Sequence, residues 1–298
     1  MMTIRIPCST SNLGPGFDTL GLALDRYLTL RADAAAATSV TVEGNGREHI
    51  ATDDSNLVLS SMRFTASKLG AALPPVRLHL ENGIPAYGGL GGSGAAIAGG
   101  VFLANELLNA RLSRGEMLNI AVEIEGHPDN VSAALMGGLT VNCFDAERNV
   151  RCRSVKLRAP LSVVTCSPHF QVQTKQARKI LPSSVPLKDA VTNIENAASL
   201  VAALMSGDLE ALRYVTADRL HEQYRSALIP GYDAVKAAAL SAGALSFNIS
   251  GAGPTLFAFA AENASAVASA MQAAFRSAGQ DSTPEVMSVE NDGAVRLA

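Results

Sequence analysis

The chain has no surplus of basic charge. Its 24 lysines and arginines stand against 27 aspartates and glutamates, a net charge of −3, so it carries no electrostatic footprint for a nucleic acid or an anionic membrane surface. Cysteine is scarce too. Cys8, Cys143, Cys152 and Cys166 lie far apart and form no CxxC pair, which argues against a disulfide framework or a zinc site and reads as small buried hydrophobes in a reducing compartment. His49, His79, His169 and His221 lack ligand-like spacing and read as surface or packing residues. Two stretches, 82–105 and 237–261, have no charge, but Gly, Pro, Asn and Ser break both, so each reads as buried core plus loop rather than a membrane span. The first residues, MMTIRIPCSTSN, lack a basic and apolar signal pattern, which favours the cytoplasm. No internal repeat or low-complexity linker is evident, and 298 residues suffice for one large or two ordinary domains.

What the chain has is glycine, concentrated in residues 85–96, PAYGGLGGSGAA, where six of twelve residues are Gly or Ser. Without Cβ atoms to hold the chain away, backbone N–H groups converge on one point. An Ala-rich segment reading as a helix follows as far as Asn105, and its N-terminus adds unpaired donors and the positive end of a macrodipole. The composite is a site for an anion, above all the phosphates of a nucleotide. Gly89, Gly91 and Gly94 also satisfy G-x-G-x-x-G, the dinucleotide fingerprint. However, residues 82–85 intrude after the strand at 76–81, and the next acid, Glu106, comes too early. The Walker A pattern needs a lysine where Ala95 stands. Such a loop must neutralise phosphate charge with amides, a helix dipole and Mg²⁺ held elsewhere, which requires a carboxylate further down the chain.

In order, residues 3–7 read as a strand and 8–18 as a polar loop rich in turn formers. Near period-2 alternation over 20–32, continued at 40–43, predicts antiparallel hairpins. Ser55 or Asp54 can cap a helix from 56 to about 69, ended by Gly70. Ser113 with Glu116 forms a capping box for a helix to about Glu125. There Gly126 and Pro128 leave Glu123, Glu125, His127, Asp129 and Asn130 in one short turn, either as a plain helix C-cap followed by an N-cap or as the carboxylate the loop requires. Strand returns at 137–141. Beyond a boundary near 157, strand candidates at 161–166 and 245–249 are separated by helices near 173–180 and 233–241 and a long helical region over 189–220. A second glycine turn at 250–255, a strand to 259, a helix over 264–278 and closing strands near 286 and 295 complete an α+β sandwich.

Three motifs in this order, PCSTSNLGPGFDTLGLAL, IPAYGGLGGSGAA and SGAGPTLFAF, resemble the GHMP kinases. EGHPDNVSAALMGG and the TKQAR and YRSALIPG segments narrow the likeness to the homoserine branch, and together they cover nearly the whole chain. The resemblance implies an α+β fold of two domains. An N-terminal ATP-binding domain like ribosomal protein S5 domain 2 spans 1–157, a ferredoxin-like α/β sandwich spans 158–298, and the site lies in the cleft between them. It implies transfer of a phosphoryl group from ATP, with Mg²⁺, to the side-chain hydroxyl of homoserine, a step of threonine biosynthesis. It also carries a homodimer as an expectation.

Residue by residue, the likeness places Leu90, Gly91, Gly92, Ser93, Gly94 and Ala95, with Pro85, Tyr87, Gly88 and Gly89 before them, around the triphosphate. Ser93 matches the Mg²⁺-binding serine, Glu125 the metal carboxylate with Glu123 as the alternative, and Asn56 falls near the adenine contact. Asp18 would pair with the ammonium group, and Arg178 and Arg225 would fork onto the carboxylate. Asn12, Asn130 and Thr174 match residues around the reacting hydroxyl. Many relatives have an aspartate where Asn130 stands, and an amide cannot serve as a base. Asp129 is its neighbour, but a loose transition state lets positioning and charge neutralisation supply most of the rate. Gly92 and Gly94 stand where the family more often has Ser and Ala, which removes a hydroxyl near the phosphates and loosens the loop. A nucleotide-dependent dehydrogenase and a non-catalytic metabolite sensor are the competing classes. Intact Ser93, Glu125, Asp18 and both arginines speak against the sensor.

Overall fold

The computed structural model describes residues 2–297. Its first lobe contains β1 (Met2–Ser11), β2 (Leu20–Ala34), β3 (Ser39–Gly44), α1 (Leu57–Lys68), β4 (Val76–Asn82), α2 (Gly92–Leu107), α3 (Arg114–Glu125), α4 (Asp129–Met136), β5 (Leu139–Phe144) and β6 (Val150–Val155). The second contains β7 (Ser162–Pro168), α5 (Thr174–Lys179), α6 (Leu187–Ser206), α7 (Leu212–Val215), α8 (Glu222–Arg225), α9 (Tyr232–Ser241), β8 (Asn248–Ile249), β9 (Leu256–Ala260), α10 (Ala264–Ser277) and β10 (Ser282–Ser288). A last strand, β11 (Val295–Leu297), follows.

Alternation decides the first sheet. Leu20, Leu22, Leu24, Leu28, Leu30 and Ala32 of β2 are all buried, and they keep one parity although the pairing with β1 skips Asp25 and Arg26 between Pro7 and Cys8. Residues 8–11 extend β1 instead of forming a loop. Ser9, Thr10 and Ser11 are buried with partners from distant segments, so their hydroxyls satisfy a buried strand as well as a turn. The predicted hairpin from β2 to β3 is also corrected. β4 lies between them, antiparallel to β2 and parallel to β3, and the parallel pair needs the crossover that α1 supplies. Helix α1 is capped by Asn56, whose Oδ1 accepts from the N–H groups of Val58 and Leu59 at 3.0 and 3.2 Å. Neither Ser55 nor Asp54 serves. The capping box of Ser113 and Glu116 is formed as expected. Helix α2 is buried along most of its length, which explains why it carries no charge before Glu106 in its last turn.

In the second lobe the sheet order β10-β7-β9-β8 is antiparallel throughout, the ferredoxin-like order expected. Val164, Cys166, Leu256 and Ala258 face α9 and α10. Their alternates Val163, Phe257 and Phe259 join the large core shared with α6, α7 and the first lobe. The long helical region is broken, because Gly207 ends α6 in the left-handed conformation and only short turns follow. The chain crosses out of the first lobe near 157 and then returns, with β11 pairing to β1 at Thr3↔Leu297. Residues 295–297 therefore sit in the first sheet and not in the second lobe. The two crossings are bonded to each other, since Asn291 accepts from Leu157 N through Oδ1 and donates to Leu157 O through Nδ2, both at 3.0 Å. Cys8 and Cys166 are buried, but Cys143 is exposed, so it is no core hydrophobe. Among the described residues no helix is long and apolar enough to cross a membrane.

Candidate active site

The glycine loop ends at Gly91, which caps α2 in the left-handed region at φ 66°. A Cβ there would stand 2.1 Å from Ser9 Oγ, so only glycine allows the loop to press against β1 while its amides point outward. The N–H groups of the first turn of α2 have no partner within the helix and are free to bind an anion. The second glycine turn braces the first, because Ser250 and Thr255 hydroxyls bond the carbonyls of Gly89 and Gly88.

Between the lobes lies a cleft of about 720 Å³. It is lined by Pro85, Tyr87, Gly88, Gly89, Leu90, Gly91, Gly92 and Ser93, and by Asn12, Asp18, Asn56, Glu125, Asn130, Thr174, Arg178 and Arg225. The structure thus gathers every site residue named from the sequence except Gly94 and Ala95, which are buried behind the loop, and the alternative carboxylate Glu123, which is exposed outside the cleft. Tyr87 stacks on His169 of the other lobe, ring centres 4.4 Å apart. Asn56 reaches the wall with its side chain engaged locally. Besides capping α1, its Nδ2 donates to Ala51 O at 2.7 Å.

On the phosphate side Ser93 Oγ donates to Glu125 Oε1 at 2.9 Å. Glu123 instead pairs with Lys68 at 2.6 Å. Burial pushes the Glu125 carboxyl above its ordinary range, with His127 and the Ser93 bond pulling it back. His127 lies 2.7 Å from Asp129 through Nδ1. Burial pulls its imidazole down, but the bond and charge of Asp129 outweigh this and raise it. Among the described residues no group of three or more His, Cys, Asp or Glu could hold a metal alone. The Ser93 hydroxyl and Glu125 carboxylate are nonetheless hard oxygen donors side by side. They fit an ion that takes its remaining oxygens from phosphates and water, as Mg²⁺ does.

On the other side Arg178 forks onto Asp18 with Nη–O distances of 2.7 and 2.9 Å. The two residues expected to bind opposite ends of a zwitterion bind each other here, and the Asp18 bond holds the Arg178 guanidinium above its ordinary value. Arg225 is different. It is 2 % exposed, donates to the carbonyls of Ala177 and Gly251 at 3.2 and 2.9 Å, and has no carboxylate at ion-pair distance among the described residues. Burial, then the nearby Arg178 charge, lower its pKa. Asn12 accepts from Asp18 N at 3.0 Å and donates to Gly251 O at 2.9 Å, tying the Asp18 loop to the second glycine turn. Asn130 Oδ1 accepts from Ser9 at 2.9 Å and Nδ2 donates to Ser11 at 3.1 Å, so two hydroxyls of β1 fix its amide. Thr174 opens α5 on the cleft wall. Ser9 and Ser11 escaped the sequence reading. The run of hydroxyls ahead of Asn12 was the available signal.

The profile of the GHMP kinases N terminal domain matches residues 56–138, and that of the C terminal domain matches 195–277. The chain is 40% identical over 295 residues to the homoserine kinase of Moorella thermoacetica, covering 99% of each. It is 39% identical over 295 residues to that of Desulfitobacterium hafniense, again covering 99% of each. Among solved structures, the homoserine kinase from Cytophaga hutchinsonii superposes with a TM-score of 0.87 at 32% identity, over 99% of this chain and 97% of that one.

Proposed function

The chain belongs to the GHMP kinases, with homoserine kinases as its full-length relatives, and on that premise we propose that it transfers the γ-phosphoryl group of ATP to the side-chain hydroxyl of L-homoserine. The products are O-phospho-L-homoserine, ADP and the proton of the alcohol, which is released to solvent; the reaction is a step of threonine biosynthesis. The single observation that carries the acceptor assignment is Arg225. A nearly fully buried guanidinium without a carboxylate partner is costly, and its place on the cleft wall makes the substrate carboxylate the natural counter-charge.

In this reading the triphosphate lies on the amides of residues 88–94, with the base toward Asn56. Ser93 and Glu125 would hold Mg²⁺, which when bound supplies charge neutralisation for the phosphates. Homoserine enters by exchange. Its ammonium replaces Arg178 at Asp18, and its carboxylate takes the freed Arg178 together with Arg225, in the bidentate manner lysine cannot match. Asn12 and Thr174 lie where they border the hydroxyl. Asn130, held by Ser9 and Ser11, orients that hydroxyl toward the γ-phosphorus without accepting its proton. The loose transition state asks for alignment more than for a base. The division of labour runs along the crossing near 157, with ATP on the first lobe and the carboxylate contacts on the second. The widely spaced cysteines support a cytoplasmic enzyme, the lack of basic surplus supports the absence of nucleic acid or membrane partners, and likeness alone supports a homodimer.

The test is ADP release across homoserine, mevalonate, galactose and threonine. Homoserine should be turned over well and the others poorly. Comparable rates with mevalonate or galactose would remove the acceptor assignment.

A further inference from the structure

Behind Arg225 lies a buried imidazole that the reaction does not use. His221 is 0% exposed. Its Nε2 is 2.9 Å from Gly14 O and its Nδ1 is 3.4 Å from Arg225 Nη1. A carbonyl oxygen only accepts, so Nε2 must carry the proton. Nδ1 of the neutral ring is then bare and accepts from the guanidinium. Phe17 packs against both partners. The imidazole stacks on it with centres 5.1 Å apart, and the Arg225 guanidinium lies 5.1 Å over the same Phe17. Asp218 accepts the N–H groups of Leu220, His221 and Glu222 through Oδ2 at 2.7 to 3.1 Å, which sets where His221 leaves the chain.

The charged groups around the ring pull in opposite directions. Asp218 Oδ1, 3.8 Å from Nε2, and Asp18 favour a proton, while burial and Arg225 oppose it, and the balance lowers the His221 pKa. A second proton would sit on Nδ1 and point at a guanidinium, losing the acceptor and adding a repulsion.

Gly14 belongs to the loop that ends at Asp18, and Arg225 belongs to α8. The geometry points to His221 as a positioning residue that spans these two segments and fixes the distance between the ammonium-binding and carboxylate-binding ends of the acceptor site. It thereby makes the site selective for an amino acid over the same alcohol without its carboxylate. This rests on the acceptor reading above.

The experiment compares homoserine with 3-aminopropan-1-ol, which lacks only the carboxylate, by coupled ADP release. His221→Gln keeps a donor near Nε2 for Gly14 and removes the acceptor facing Arg225. His221→Asn restores an acceptor near Nδ1. Loss of one hydrogen bond to a charged group should lower the homoserine to aminopropanol ratio of kcat/KM about tenfold in the Gln variant, mainly through the KM for homoserine. The Asn variant should recover part of it. An equal loss on both alcohols, leaving the ratio unchanged, means a structural role only and overturns the inference. A wild-type chain that does not turn over homoserine overturns the acceptor reading and this inference together. Should either variant fail to fold, nitrogen NMR of the wild-type chain with labelled histidine decides independently. His221 must be protonated at Nε2 only at neutral pH, and its Nδ1 signal must move when homoserine is added. A ring protonated at Nδ1, or a signal that ignores homoserine, refutes it.

Discussion

Gly92 and Gly94 are both in the first turn of α2, on either side of Ser93, and the structure predicts opposite outcomes for filling them. At Gly92 an added Cβ meets nothing within 4 Å, and its backbone is already helical. Gly92→Ser should therefore gain about 0.5–1 kcal/mol from reduced freedom of the unfolded chain and better helix propensity, or roughly 2 °C in Tm for a chain of this size. The new hydroxyl beside the phosphates should also lower the KM for ATP a few-fold. At Gly94 the same propensity argument offers a gain, but a Cβ would lie 2.8 Å from Asn130 Cβ and 3.3 Å from Asn130 C. Neither atom can swing away, so the start of α4 must shift, and overpacking of this kind costs about 1–3 kcal/mol. The residue displaced is Asn130 itself. Gly94→Ala should thus melt no higher than the parent and lose roughly tenfold or more in kcat, since small misplacements near the reacting atoms are expensive. Thermal unfolding with ADP-release kinetics on both variants tests this. If Gly94→Ala matches Gly92→Ser in both measurements, the close approach of α2 to α4 is not what aligns Asn130.

Two further outcomes follow from other parts of the molecule. Asn130→Ala should lower kcat by about 10²–10³ while leaving the KM for ATP near the parent value; near-normal turnover with homoserine would show that the amide does not align the hydroxyl. Glu222 is buried, bonded to Ile249 N and Asn248, and its carboxyl is pushed up to about 8 by burial first of all. The folded state therefore keeps a proton that the unfolded chain releases above its ordinary pKa of 4.5. Stability falls as pH rises from about 4.5 to 8, by at most about 5 kcal/mol. Urea unfolding at pH 5, 6.5 and 8 should show this slope for the parent and a flatter one for Glu222→Gln; parallel slopes would place the carboxyl's titration elsewhere.

How much of this could be read from the residues varies with distance along the chain. The glycine loop and its helix were legible because their cause is local: missing Cβ atoms, left-handed turns and a helix start lie within a dozen residues. The Ser113 box was legible for the same reason. The parallel pairing of β3 was not, because which strand lies beside β2 depends on covering α1, a long-range choice that alternation does not encode. Arg178 shares its short helix with Lys175 and Lys179 and looks like an ordinary solvated face. Its partner Asp18 is 160 residues away, and only the family likeness connected them. Nothing in EQYR announced a buried carboxyl at Glu222, since burial there is imposed by β8.

The amide of Asn291 laces the outgoing and returning segments into one double strap. Joined in this way, and sharing one large core besides, the two halves should accordingly melt together in a single thermal transition and not as separate bodies.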